Sequence, residues 1–412
     1  MAADCCVSWL HMGTKPLEGV RVLELGQLMA GPMVGTTLGY FGAEVIKIEP
    51  PGKGDAVRGW RVLDDTGTAV WWYTLGRNKK CITLDLKSEE GRRLARRLAD
   101  KVDVLVENFR PGVMESWGLG PQEFEQTNPG LIYSRVSGYG QDGPNASLPG
   151  YASVCEGFGG FRYVNGEPGQ PPVRPNLSLG DSLAALHAAL GVVLALYHRD
   201  RGAVAGSTGQ VIDTAIYEAV FSMMEAVVPE YDRCGVVREP SGSTITGIVP
   251  TNTYPCQGDR WVIIGGNGDS IFKRLMTAAG RDDLAEDPRL THNAGRVEHQ
   301  AEVDGAISAW TETLTVEQVL ETLAEVRVPA GPINSVREMV EDEHFKARGM
   351  FEEVDAGGRP IKLPAILPKL TKTPGGTEWA GPPIGQHNQE ILGELLGLSD
   401  DEIESLRHKG VV

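Results

Sequence analysis

Asp181 is the residue of this sequence best placed to do chemistry. It stands in LSLGDSLAAL (177–186), immediately ahead of a long apolar stretch that reads as a helix, and so in N-cap position. An aspartate there usually satisfies free N–H groups of the first turn and does nothing else. The same place suits a reactive carboxylate. The positive end of the helix keeps it ionised, and Gly180 in front of it leaves room for a second molecule. A carboxylate so held can attack a thioester carbonyl, giving a mixed anhydride and dividing one hard transfer into easier steps. Spacing alone favours the cap.

Other constellations are weaker. GGNGD (265–269) closes a strand and opens a helix, either as a plain entry turn or as a loop that closes over a reaction centre. The eight histidines form no HxH, HxxH or HExxH, and His187 and His198 fall inside a helical pattern as core or surface residues. Without a G-x-S-x-G elbow, a Ser-His-Asp reading fails. Gly26 and Gly31 are spaced G-x4-G, and Glu49 stands where a ribose-binding acid would in a dinucleotide site. The missing G-x-G-x-x-G speaks against that reading, and a tight turn with Pro32 opening a helix accounts for Gly31 and Pro32. Cysteines 5, 6, 81, 155, 234 and 256 contain no CxxC, which points to reduced thiols and away from a zinc site.

The elements that must position these residues alternate. VRVLEL (20–25), EVIKIE (44–49), ITLDL (82–86), VDVLVE (102–107) and LIYSRV (131–136) read as strands, with helices over 33–41 and 88–100 between them. Repeated β-α-β units imply a parallel sheet covered by helices, a doubly wound, Rossmann-like α/β fold. Residues 182–198 form the clearest helix, with Leu183, Leu186, Leu190, Leu194 and Tyr197 at three- and four-residue steps; so apolar a helix reads as buried on most sides. GQVIDTA (209–215) is a further strand and 214–228 a further apolar helix. Composition changes after Pro229, where a strand at 261–266, a helix near 270–279 and a Thr315–Gln318 capping box suggest a smaller α/β domain. From about 326 the chain has extended stretches and two short helices, the last capped by Ser399 and Glu402. The 412 residues thus divide into 16–228 and 326–412 as a large domain and 229–325 as a small one.

Composition narrows the classes of function. A formal charge of −16 argues against nucleic acid as a partner. No run of about 18 apolar residues is present, so no membrane span is expected, and 1–16 reads as neither a secretory nor a mitochondrial leader. The expected compartment is the cytoplasm.

Several segments together resemble the class III CoA-transferases, the formyl-CoA transferase and carnitine CoA-transferase family. They are PLEGVRVLELGQLMAGP, GAEVIKIEPPGKGDAVRGW, RNKKCITLDLKSEEG, VDVLVENFRPG, NPGLIYSRVSGYGQDGP, LSLGD and VPAGPINSVREM, in the family's order from about Pro16 to Val412. The resemblance implies an intertwined homodimer whose subunits each have a Rossmann-like large domain and a small one. It implies that Asp181 passes through aspartyl-acyl anhydride and aspartyl-CoA intermediates, with no metal and no permanently bound cofactor, coenzyme A entering as substrate. Gln27, Leu28, Met29, Ala30, Leu84, Lys87 and Asn108 match CoA-contacting positions, Lys87 as a phosphate partner. Trp60 and Tyr151 match acyl-pocket positions, and Gly265, Gly266 and Gly268 the family's glycine loop.

Departures from the pattern matter too. Met29 and Gln27 replace a glutamine and a histidine of formyl-CoA transferase, which argues against oxalate as acceptor. Pro50 and Ser116 replace basic CoA contacts. The related racemases carry a histidine that would fall within 145–155, where this chain has none. Similarity to the succinyl-CoA:glutarate type, including the PxGPIN and GQH segments, implies succinyl-CoA as donor and a small acid such as glutarate, itaconate or malate as acceptor. A 2-methylacyl-CoA racemase and a non-catalytic CoA-binding protein are the alternatives.

Overall fold

The computed structural model describes residues 15–201 and 208–412. Cys5, Cys6 and the reading of the leader lie outside the described residues. The chain forms two compact units. The first comprises the chain up to Gly159, Pro175–Met223 and Lys346–Val412; the second comprises Gly160–Arg174 and Met224–Phe345.

The first unit is built on six parallel strands: β1 (Arg21–Glu24), β2 (Glu44–Glu49), β3 (Lys79–Thr83), β4 (Val104–Glu107), β5 (Ile132–Ser137) and β6 (Val211–Ala215). Their order is β3-β2-β1-β4-β5-β6, the doubly wound arrangement in which chain direction across the sheet reverses between β1 and β4. Alternate residues of each strand feed opposite layers. Leu23, Ile46 and Leu105 pack with Leu94, Leu98, Ile391 and Leu406 on one side. Val22, Val45 and Val104 pack with Val34, Leu38, Ala188 and Val192 on the other. The helix Glu89–Ala99 is capped by the Ser88 hydroxyl, which accepts from Gly91 N at 3.0 Å, and buries Leu94, Ala95, Leu98 and Ala99.

Three expectations about elements need correction. Strand β3 lies earlier than 82–86, because Lys79 is not a polar flank but a fully buried cation paired with Glu24 at 2.8 Å. The helix expected over 214–228 is two helices, Ile216–Phe221 and Val227–Cys234, with Glu225 between them at φ +47°. The long helix runs Leu179–Arg201 and is not buried on most sides. Its inner face is small, made of Gly180, Ala184, Ala185, Ala188, Ala189, Val192 and Ala195, which lets it lie close against the sheet. Leu186, Leu190, Leu194 and Tyr197 face outward and are exposed. An 18-residue window of this helix has mean hydropathy 1.8, so by length and composition it could cross a membrane, contrary to the sequence reading; 44% of that window is buried.

The second unit holds an antiparallel sheet of β7 (Thr251–Cys256), β8 (Arg260–Gly265) and β9 (Ala330–Pro332) with its own core around Tyr254, Phe272, Leu275 and Ile307. The capping boxes at Thr315–Gln318 and Ser399–Glu402 are both formed. A hairpin, β10 (Phe351–Asp355) and β11 (Pro360–Pro364), belongs to the first unit.

The GQH segment near the C-terminus is a clasp on β3. His387 Nδ1 accepts from Cys81 N at 3.0 Å, and Asn388 Oδ1 accepts from Thr83 N at 2.8 Å. Burial, with help from Lys80, lowers the His387 pKa below its usual 6.5, and protonation at Nδ1 would remove the acceptor. The unfolded chain therefore takes up this proton first, and stability falls as pH drops below about 6.5. Urea denaturation between pH 5 and 8 should show a smaller pH slope for His387→Gln than for the unchanged protein. An identical slope would contradict the assignment.

Candidate active site

The C-terminal ends of β1, β4 and β5 open onto a cavity of about 460 Å³. Its position at the reversal of the strand order is where open α/β sheets bind ligands. Among the residues expected at a site, it gathers Gln27, Leu28, Met29, Ala30, Trp60, Asn108, Tyr151 and Asp181.

Asp181 is not the N-cap. The helix starts at Leu179, and the carbonyl of Ser178 accepts from Ser182 N at 3.1 Å, so Asp181 is the third helical residue. It remains within the first turn, where the helix end favours its charge. Nor does Gly180 leave room for substrate. A Cβ there would meet Ile216 at 3.1 Å and Glu156 at 3.3 Å, so the glycine serves close packing. Gly180 N also donates to the fully buried Glu156 at 3.2 Å, which fixes the turn. Burial, followed by the charge of Asp181, pushes the neighbouring Cys155 thiol up to about 11 and keeps it protonated.

The opposing turn, Gln27–Ala30, is held by the half-buried Asn108 and the buried Asp55. Asn108 accepts from Gln27 N and donates to Gln27 O, both at 2.8 Å. Gly26 and Gly31 are glycines for this reason, since a Cβ at either would come within 2.8 Å or 3.0 Å of the Asn108 amide. Asn108 thus holds the turn and also lines the cavity. Leu28 has φ +66°, costly for a side chain of its kind, and its N–H donates to both carboxylate oxygens of Asp55 at 3.0 and 3.1 Å. Asp55 pairs with Lys47 at 2.9 Å, and Lys47 also reaches Glu24 at 3.0 Å and the Gly26 carbonyl at 2.8 Å. All three charged side chains are fully buried. Burial opposes ionisation of Asp55, but Lys47 and the N–H groups of Val57 and Leu28 hold its pKa below the usual range. The helix Ala30–Tyr40 starts at the cavity without a side-chain cap on Met29, leaving backbone donors where negative charge can develop.

Glu49 is not free for a ribose. It is fully buried and taken up by Arg58, at 2.7 and 2.8 Å, and by Asp55 N at 2.7 Å. Leu84 buries its side chain in the core, so only its backbone could meet a ligand. Lys87 is exposed in the turn before Ser88 and does not line the cavity. Gly265, Gly266 and Gly268 belong to the second unit. Gly265 ends β8, Gly268 precedes the helix Asp269–Ala278, and a Cβ on Gly266 would strike Leu275 at 2.6 Å. The fully buried Arg296 donates to the carbonyl of Asn267 in that loop at 2.7 Å.

Sequence reasoning missed Trp71, Phe109, Arg110 and Ser178 in the cavity wall. The segment VENFRPG carried two of them, but only Asn108 was singled out. No histidine lines the cavity, and among the described residues no group of three or more His, Cys, Asp or Glu could hold a metal.

The chain is 48% identical to a succinyl-CoA–D-citramalate CoA-transferase of Chloroflexus aurantiacus, over 97% of this chain and 98% of that one. It is 40% identical to the alpha subunit of a succinyl-CoA–L-malate CoA-transferase of the same organism, over 96% and 92% of the two chains. A CAIB/BAIF family protein from Brucella suis, known as a crystal structure, matches with a TM-score of 0.81 at 32% identity over 93% of this chain and 100% of that chain. The model of CoA-transferase family III covers residues 17–388, and the protein belongs to that family.

Proposed function

We propose that this enzyme moves CoA from succinyl-CoA to a small dicarboxylic acid, with Asp181 as the acyl-accepting carboxylate. The observation that carries the reading is the place of Asp181, in the first turn of a helix and in the wall of the cavity at the strand-order reversal. The Asp181 carboxylate attacks the thioester carbonyl and expels the CoA thiolate, leaving an aspartyl-acyl anhydride. The thiolate then attacks the aspartyl carbonyl, releasing the donor acid and leaving aspartyl-CoA. The acceptor carboxylate reverses both steps. One thioester is exchanged for another, so no external energy is needed, and the protein's task is to keep water from the anhydride. The absence of a histidine from the cavity wall favours this chemistry over proton transfer at Cα.

Gln27, Leu28, Met29 and Ala30 with Asn108 would shape the CoA side, and Trp60 and Tyr151 the acyl side. Leu84, Lys87 and the loop of Gly265, Gly266 and Gly268 are carried in this reading by family likeness alone. A homodimer, intertwined as in the family, is supported by the outward stripe of Leu186, Leu190, Leu194 and Tyr197 and by the exposure of Tyr151 (70%) at the cavity. The division into 16–228 with 326–412 and 229–325 is supported by the two compact units, although their bounds differ from it. Cysteines 81, 155, 234 and 256 are free thiols, which supports a cytoplasmic place.

The names of the relatives put citramalate and malate first among acceptors, ahead of glutarate and itaconate. Succinyl-CoA incubated with each acid, the thioesters then separated by chromatography, should give a new thioester without ATP for at least one of the four. Consumption of succinyl-CoA with none of these acids would overturn the reading.

A further inference from the structure

We infer that Arg61 selects the acyl group, by pairing with the far carboxylate of a dicarboxylic thioester; this rests on the transferase reading above. Four observations converge on this side chain. Its backbone has φ +64°, an unfavourable conformation for arginine of the kind that persists where a side chain must be aimed. Its guanidinium lies 3.9 Å from the centroid of the Trp71 ring. Its Nη2 donates to Ser178 Oγ at 3.1 Å. Trp71 and Ser178 both line the cavity, and Ser178 is the residue just before the helix that carries Asp181. Finally, Arg61 has no carboxylate partner among the described residues, unlike Arg58 on Glu49 or Arg135 on Glu107.

The chemistry asks for such a group. An acyl chain ending in a carboxylate brings a second charge into an apolar wall of Trp60, Trp71, Leu148 and Tyr151, where an unpaired anion is costly. A guanidinium resting on an indole keeps donors free for carboxylate oxygens. Arg61 reaches the cavity wall through Trp71 and Ser178, whereas Arg110, which lines the cavity itself, follows Asn108 and Phe109 beside the Gln27 turn, which places it on the CoA side of our reading.

The test compares succinyl-CoA with butyryl-CoA, which has a methyl group in place of the far carboxylate, as donors to one acceptor. For the unchanged protein kcat/KM should favour succinyl-CoA. Arg61→Met should lower kcat/KM for succinyl-CoA by about 10- to 100-fold, mostly through KM, the effect of losing a charged hydrogen bond. It should leave butyryl-CoA within about threefold, and Arg61→Lys should restore part of the preference. Affinity for free CoA should not change in either variant. Equal losses on both donors, or an unchanged preference in Arg61→Met with a lost one in Arg110→Met, would overturn the assignment while leaving the transferase reading intact. No transfer from either donor by the unchanged protein would sink both.

Discussion

Replacing Asp181 by Ala should lower the rate of CoA transfer by about 10⁴-fold or more while leaving the fold in place. In the proposed mechanism the nucleophile is a single oxygen atom, and the nearby thiol is poorly suited to take its place. Cys155 is buried with its thiol pushed up to about 11, and no histidine lines the cavity. Asp181→Asn should be as inactive, since the amide keeps shape and hydrogen bonding but loses nucleophilicity. Asp181→Glu should recover little, because one added methylene moves the oxygens away from the reacting carbon by more than catalysis tolerates. Asp181 is the third residue of a helix whose first turn is also fixed by Glu156, and its interaction with the helix dipole is worth about 0.3–1 kcal/mol. The thermal midpoint should therefore move little, and succinyl-CoA should still bind. Transfer within about tenfold of normal in Asp181→Ala would mean that the residue only supports its helix.

The second large effect concerns stability. Lys47→Met should cost about 3–5 kcal/mol, because it strips the counter-charge from Asp55 and half of it from Glu24 inside the protein. Burial alone would lower the Lys47 pKa, but the charges of Asp55, Glu24 and Glu49 more than reverse this and keep it protonated. Gly35 belongs to the same arrangement. A Cβ there would meet a carboxylate oxygen of Glu24 at 2.0 Å, so the helix Ala30–Tyr40 can close over the pair only with glycine at that point. The loss should appear in urea denaturation as a lower midpoint with an unchanged slope. Function should suffer as well, through the turn. Without Lys47, Asp55 becomes a weaker acceptor for Leu28 N, and the left-handed Leu28 relaxes away from the cavity. A change below about 1 kcal/mol would show that the network tolerates an unpaired buried carboxylate, contrary to this account.

The parallel sheet was legible because buried parallel strands write themselves as β-branched and aliphatic runs, and five of its strands were read close to their places. What failed was whatever depends on the partner. Lys79 fell outside the strand read at 82–86, since nothing in its neighbours announces that Glu24, many residues away, neutralises it. The leucine stripe of the long helix was visible but assigned to the wrong side. Periodicity shows that a face exists, and here both faces are apolar, so the smaller one won the close contact with the sheet. Asp181 was placed at the right helix end but displaced by three residues, because Ser178 starts the helix earlier. Gln27–Ala30 were found through family likeness, whereas their supports Asp55 and Lys47 were not, since a buried ion pair and a solvated one look the same in sequence. Arg61 and Trp71 suffered the same ambiguity: only their stacking and the contact with Ser178 distinguish them from surface residues.

The most direct measurement follows an oxygen atom. If Asp181 forms both intermediates, the acceptor's carboxylate oxygen becomes the bridge of the second anhydride and stays on Asp181 when the thiolate attacks the acyl carbonyl. A single turnover with a heavy-oxygen-labelled acceptor acid should leave the peptide containing Asp181 heavier by one labelled oxygen, and repeated turnover by up to two, with fragmentation placing the label on that side chain. Transfer that proceeds fully while this peptide keeps its normal mass would contradict the account.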